Sequence, residues 1–212
     1  MNIIFMRHGE ATDNVKGLIS DKEIYWSILT DSGIKAVEES IQSLPDVIDK
    51  IYVSPLPRTI ETAHLVYKKY KESKIVIENR IRELNYGKYS GQKNNEDLDN
   101  TRIRQVEGDY FIRLGSTGEN RFEIEKRLSE FLNDLYKNNS PKSTILIISH
   151  GSVTSYMKRI LNIKTSHLKT GKIEEFNNVD FSNLFKHIEK LNSIKNEKIC
   201  RRRKYWSHNR RN

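Results

Sequence analysis

Ile3-Ile4-Phe5-Met6-Arg7-His8-Gly9 and Ile145-Leu146-Ile147-Ile148-Ser149-His150-Gly151 read alike: four apolar residues of strand length, one polar residue, then a histidine and a glycine. Short runs rich in β-branched residues, bounded by polar residues and glycine, are the mark of buried strands. Ile51 to Val53 and Ile75 to Ile77 add two more such runs. Between them the apolar period becomes helical. Ile34, Val37, Ile41 and Leu44 share one face of a segment that Thr30, Asp31 or Ser32 can cap. A second helix is expected from Pro57 through Val66, a third from Phe122 to Tyr136, a fourth after Gly151 and a last one over Phe181 to Ile194. Strands alternating with helices predict an α/β fold, a three-layer α/β/α sandwich with a mostly parallel central sheet. In such sheets ligands sit at the carboxyl ends of the strands, where this chain delivers His8 and His150.

The chain is long enough for one sizeable domain, expected over 1–194. Residues 85–118 show little periodicity and are expected to form an irregular lid over one end of the sheet. The formal charge of +9 is lopsided. Residues 186–212 hold ten of the 37 Lys/Arg and two of the 28 Asp/Glu, which leaves 27 basic against 26 acidic residues for 1–185. The tail 195–212, with Arg201-Arg202-Arg203-Lys204-Tyr205-Trp206 and Arg210-Arg211, has the chemistry to hold nucleic acid or an anionic surface. Read as sequence it is more simply a solvated, disordered terminus, because no nucleic-acid module accompanies it. A single cysteine, Cys200, allows no internal disulfide, and no segment approaches the roughly 20 apolar residues of a membrane span. A cytoplasmic location is the expectation, and composition says nothing of oligomeric state.

Arg7 brings a planar fork suited to phosphate oxygens, and a neutral imidazole such as His8 attacks phosphorus when its other nitrogen is held by an acceptor. Arg58 stands in the first turn of the helix after Ile51–Val53, where anions are favoured, although Glu61 three residues on offers it an ordinary surface ion pair. Glu83 has Arg80 and Arg82 as surface partners on the same grounds.

In order and spacing over residues 1 to about 165 the chain resembles the histidine phosphatase superfamily, the phosphoglycerate mutase-like family. The matching pieces are Met6-Arg7-His8-Gly9-Glu10 with Asn14, Leu29-Thr30-Asp31-Ser32-Gly33, Ser54-Pro55-Leu56-Pro57-Arg58-Thr59-Ile60-Glu61-Thr62-Ala63, Arg82-Glu83-Leu84-Asn85-Tyr86-Gly87-Lys88-Tyr89-Ser90-Gly91, Gly118-Glu119-Asn120 and Ile148-Ser149-His150-Gly151. The resemblance implies a phosphorylated nucleophile at His8, a phosphate pocket of Arg7, Arg58 and His150, Glu83 as proton donor, Asn14 as a further phosphate contact, and no metal or other cofactor. Ala11 stands where Thr or Ser is common, Asn120 where Ser often follows Gly-Glu, and the loop 15–28, with Tyr25 and Trp26, departs from the usual substrate loop.

The leading expectation is a phosphatase acting on a small phosphorylated substrate or a phosphoprotein. A bisphosphoglycerate-dependent mutase needs the same residues, and a phosphate- or protein-binding platform with a nucleic-acid-binding tail is the reading outside enzymes. A metal hydrolase lacks a recognisable ligand spacing. Arg102, Arg104 and Arg113 in the lid are candidates for contact with further negative charge on the substrate.

Overall fold

The two matching runs lie side by side as parallel strands. A computed structural model describes residues 1–22, 26–164 and 167–209, with side chains through Lys198. In it β1 (Asn2–Arg7) pairs with β4 (Thr144–Ser149) in register Asn2 to Thr144 through Arg7 to Ser149. β2 (Lys50–Val53) flanks β4 and β3 (Lys74–Ile77) flanks β2, both parallel, while β5 (Ile173–Phe176) runs antiparallel beside β1. The sheet order is β3-β2-β4-β1-β5.

Side-chain alternation divides the core. Ile3, Phe5, Ile145 and Ile147 face a cluster completed by Ile124, Leu128 and Phe131 of α5 (Arg121–Lys137), Val153 and Met157 of α6 (Gly151–Ile160), and Leu184 of α7 (Ser182–Asn209). Ile4, Met6, Leu146 and Ile148 face the other way, onto Val37 and Ile41 of α2 (Asp31–Gln42) and Ala63 and Val66 of α3 (Pro57–Tyr67). Strands covered on both faces read as continuous apolar runs rather than alternating ones, which is why they were legible. Thr30 caps α2, its side chain accepting from Gly33 N at 3.0 Å.

Three expectations change. Ile75 and Ile77 are not buried: β3 is an edge strand with both side chains substantially exposed. The segment 85–118 is not irregular throughout, since α4 (Glu96–Glu107) lies within it, capped by Asn95. Its end is fastened to α5 by Arg121, which donates to the Gln105 and Val106 carbonyls. The last helix does not stop near 194 but runs to Asn209, because Lys, Arg and Glu sustain a helix after the apolar face ends. Tyr25 and Arg210-Arg211 lie outside the described residues, as do the side chains of Arg201 to Trp206. No helix among the described residues is long and apolar enough to cross a membrane.

Candidate active site

β1 and β4 end level with each other, so their C-terminal residues deliver His8 and His150 to the same end of the sheet, with ring centroids 5.3 Å apart. Gly9 turns the chain away from the strand. A Cβ there would stand 2.7 Å from the Gly33 carbonyl oxygen, and one on Gly33 would stand 2.1 Å from that of Glu10. The closeness that glycine permits at this turn is therefore to α2. Thr62 of α3 accepts from Gly9 N at 3.1 Å and fixes the turn from the other side.

His8 is 2 % exposed and its two ring nitrogens have distinct duties. Nδ1 lies 2.7 Å from the Gly9 carbonyl, which only accepts, so Nδ1 carries the proton. Arg58 Nε, which only donates, lies 3.0 Å from Nε2, so Nε2 presents its lone pair. Burial holds this imidazole well below its usual range, and the nearby Arg58 and Arg7 charges push it the same way. A neutral ring with Nε2 unprotonated is the nucleophilic tautomer.

Arg58 is 3 % exposed, and Glu61 is not its partner. Glu61 instead accepts from Leu29 N at 2.7 Å. Arg58 Nη2 donates to the Ser20 carbonyl at 2.8 Å and to His150 Nδ1 at 3.1 Å, and Nη1 lies 3.7 Å from Asp13 Oδ2. His150 is fully buried, with Nε2 2.7 Å from Ser54 Oγ. Because Nδ1 accepts from Arg58, Nε2–H donates to Ser54. Burial and then the Arg58 charge hold His150 well below the usual imidazole range. Arg7 reaches the cleft from the end of β1, its Nη1 within 3.1 Å of the Leu168 carbonyl and 3.2 Å of His167 Nε2.

Glu83 comes to the cleft from the loop after β3. Its Oε1 accepts from Leu84 N at 2.9 Å and its Oε2 lies 3.9 Å from His150 Nδ1. Burial raises its carboxyl above the ordinary glutamate range against the opposing pull of Arg58. Arg80, offered from sequence as its partner, pairs with Glu78 and Asp134 instead. Asn14 lines the same cleft, and its Oδ1 accepts from Ala11 N at 3.0 Å to cap α1 (Thr12–Lys16). Asn120 likewise caps α5 at 3.0 Å, so its departure from Ser preserves the cap.

Arg7, His8, Asp13, Asn14, Ser20, Arg58, Glu83, Tyr86 and Arg102 enclose about 90 Å³, room for roughly three waters. Burial and the neighbouring Glu83 push the Tyr86 hydroxyl up to about 12, which leaves it a neutral group 3.2 Å from Ser152 Oγ. The Arg102 guanidinium lies over the Tyr86 ring, 5.2 Å from its centroid. Of Arg102, Arg104 and Arg113, only Arg102 lines this cleft; Arg104 pairs with Asp109 and Arg113 with Glu123. Sequence reading missed Asp13, Ser20, Asp21 and Thr62. A lone Ser, Thr or Asp carries no spacing signal, whether it stands in a helix, as Asp13 and Thr62 do, or in a loop, as Ser20 and Asp21 do, and only the fold reveals that Asp21 Oδ2 receives Tyr86 N and Ser90 Oγ, both at 2.8 Å.

The sequence profile of the histidine phosphatase superfamily (branch 1) matches residues 3–190. A 2,3-bisphosphoglycerate-dependent phosphoglycerate mutase of Thermoplasma acidophilum is 35% identical over 94 residues, 44% of this chain and 46% of the mutase. The match thus spans less than half of that relative. A candidate phosphoserine phosphatase of Hydrogenobacter thermophilus is 28% identical over 158 residues, 70% of this chain and 72% of that protein. Among solved structures, mycobacterial glucosyl-3-phosphoglycerate phosphatase in complex with VO3 superposes with a TM-score of 0.68 over 82% of this chain and 90% of its own, and at 17% identity that is a likeness of fold. The profile runs from β1 into α7 and takes in every residue that encloses the cleft, and the chain belongs to the histidine phosphatase superfamily, branch 1.

Proposed function

We propose that this chain is a phosphatase that hydrolyses phosphomonoesters through a phosphohistidine on His8. The observation that carries the reading is the fixed tautomer of His8: Nδ1 bound to Gly9 O at 2.7 Å, Nε2 facing the cleft beside Arg58 at 3.0 Å. In the first step Nε2 forms a bond to phosphorus while the ester P–O bond breaks. The Glu83 carboxyl gives its proton to the departing oxygen, and the alcohol leaves. In the second step water attacks the phosphohistidine, Glu83 takes the proton, and the N–P bond breaks to release phosphate and regenerate neutral His8. Arg7 and Arg58 stabilise the phosphoryl oxygens as charge spreads over them, and His150, accepting from Arg58 and donating to Ser54, holds the Arg58 guanidinium in position for it. Burial supports both roles, because it keeps His8 neutral and keeps Glu83 protonated further up the pH scale than an ordinary glutamate.

A mutase differs only in the acceptor, which is a second hydroxyl rather than water, and the Thermoplasma relative favours it as the second reading. The test is phosphate release from a broad panel of phosphomonoesters in EDTA, wild type against His8→Ala, with acid-labile phosphohistidine trapped by rapid quench. Release that is lost in His8→Ala is the expected result. Phosphoryl exchange between bisphosphoglycerate and phosphoglycerate, with no net release, would instead establish the mutase. EDTA-sensitive release that survives His8→Ala would refute both.

A further inference from the structure

Arg7 is held from outside the motifs that carry the family resemblance. Its Nη1 faces two acceptors, the Leu168 carbonyl at 3.1 Å and His167 Nε2 at 3.2 Å. A guanidinium has no acceptor to offer, so the His167 ring must accept through Nε2 and keep its proton on Nδ1. Two acceptors account for both N–H groups of Nη1. Behind the guanidinium stands Gly151, the first residue of α6, where a Cβ would lie 3.2 Å from Nη1 and 3.4 Å from Nε. Arg7 Nε is itself buried and has no hydrogen-bond partner.

A guanidinium can meet two phosphate oxygens along the edge that contains Nε or along the edge formed by its two terminal nitrogens. With Nη1 committed to 167–168, the terminal edge is spent and the Nε/Nη2 edge remains. We propose that His167 and the Leu168 carbonyl are positioning groups that select the Nε/Nη2 edge of Arg7 for the phosphoryl group. This inference rests on the reading of Arg7 as a phosphoryl contact. It assigns a task to a histidine that follows the last matching motif, Ile148-Ser149-His150-Gly151. His167 is exposed, so its contribution is to orientation and not to the core. It acts through Arg7 and is not a catalytic residue.

The probe is inorganic phosphate, titrated calorimetrically into the full-length protein, alongside KM for p-nitrophenyl phosphate. His167→Ala is expected to weaken phosphate about fivefold to tenfold, as loss of one hydrogen bond to a charged group at an exposed position implies. His167→Gln, which restores an acceptor oxygen, is expected to recover affinity to within about twofold. In an Arg7→Lys background the same alanine change should cost nothing further, since an ammonium has no edge to select. Unchanged affinity in His167→Ala overturns the proposal, as does an equal loss in His167→Gln or an undiminished one in the Arg7→Lys background. The phosphatase reading fails separately: phosphate that binds with this dependence on His167, with no ester hydrolysed, leaves the positioning role standing and removes the activity.

Discussion

Arg58 Nε donates to His8 Nε2 at 3.0 Å, so in the proposed reaction the cation meant for the phosphoryl group occupies the lone pair of the proposed nucleophile in the resting site. An incoming phosphorus must displace that donor, and the guanidinium then has its N–H free for the oxygens the reaction brings. Lysine keeps the charge but cannot place one donor on His8 while others hold Ser20 O and His150. Arg58→Lys is expected to lower kcat/KM about 10²- to 10³-fold, the usual consequence of removing one preorganised donor. Arg58→Ala should match that loss and also lower the melting temperature, because Asp13 is left buried without its cation. Steady-state kinetics and thermal unfolding of the two variants check this, and a lysine variant with wild-type kcat/KM would contradict it.

Glu83 should matter in proportion to how poor the leaving group is. An alkoxide needs the proton and p-nitrophenolate does not, so Glu83→Gln is expected to slow alkyl phosphates by about 10²- to 10⁴-fold and p-nitrophenyl phosphate far less. The pH profile follows from the raised carboxyl. The acid must be protonated to act, so kcat/KM for an alkyl phosphate falls as pH rises through the pKa of Glu83, and burial moves that limb above the ordinary glutamate range. Glu83→Gln should abolish the limb. A limb that persists in the variant assigns the general acid elsewhere.

Acid stability tests the two buried histidines. Both are held well below the usual imidazole range in the folded chain, while in the unfolded chain they titrate near 6.5. The unfolded state therefore binds more protons below that pH, and stability present above about 6.5 is lost as pH falls. The melting temperature is expected to drop between pH 7 and 5, and to drop less steeply in a His8→Asn, His150→Asn double variant. Coincident slopes would mean that other groups govern acid unfolding.

What the sequence made legible follows from how each element is buried. Ile3 to Met6 and Ile145 to Ile148 are apolar because both faces of the sheet are covered, so the strands that carry His8 and His150 stand out in the chain. β5 does not: Ile173-Glu174-Glu175-Phe176 is an edge strand whose glutamates mask its alternation. α4 was hidden for a different reason. Its buried positions are Leu98 and Gln105, while the apolar Ile103 and Val106 are more than half exposed, so its hydrophobic period does not report the face it buries. The site divides in the same way. His8, Arg58 and His150 follow strands and could be placed by the rule of strand ends, whereas Asp13 reaches it from the short helix α1 and Ser20 and His167 from loops, whose placement only tertiary packing sets.

Arg102 carries the prediction about substrate. It lines the cleft with Arg7 and Arg58, anchored by Asn94 Oδ1 at 2.7 Å and Asp99 Oδ1 at 3.0 Å and stacked over Tyr86. A phosphoryl group seated on Arg7 and Arg58 makes no demand on this third cation, so its effect should appear with substrates that bear a second anionic group. Arg102→Ala is expected to raise KM about tenfold for 3-phosphoglycerate and to leave KM for glycerol 3-phosphate, which lacks the carboxylate, within about twofold. Arg104→Ala should change neither, because that guanidinium pairs with Asp109 away from the cleft. Equal effects of Arg102→Ala on the two substrates would show that Arg102 supports the packing of α4 rather than reading the substrate.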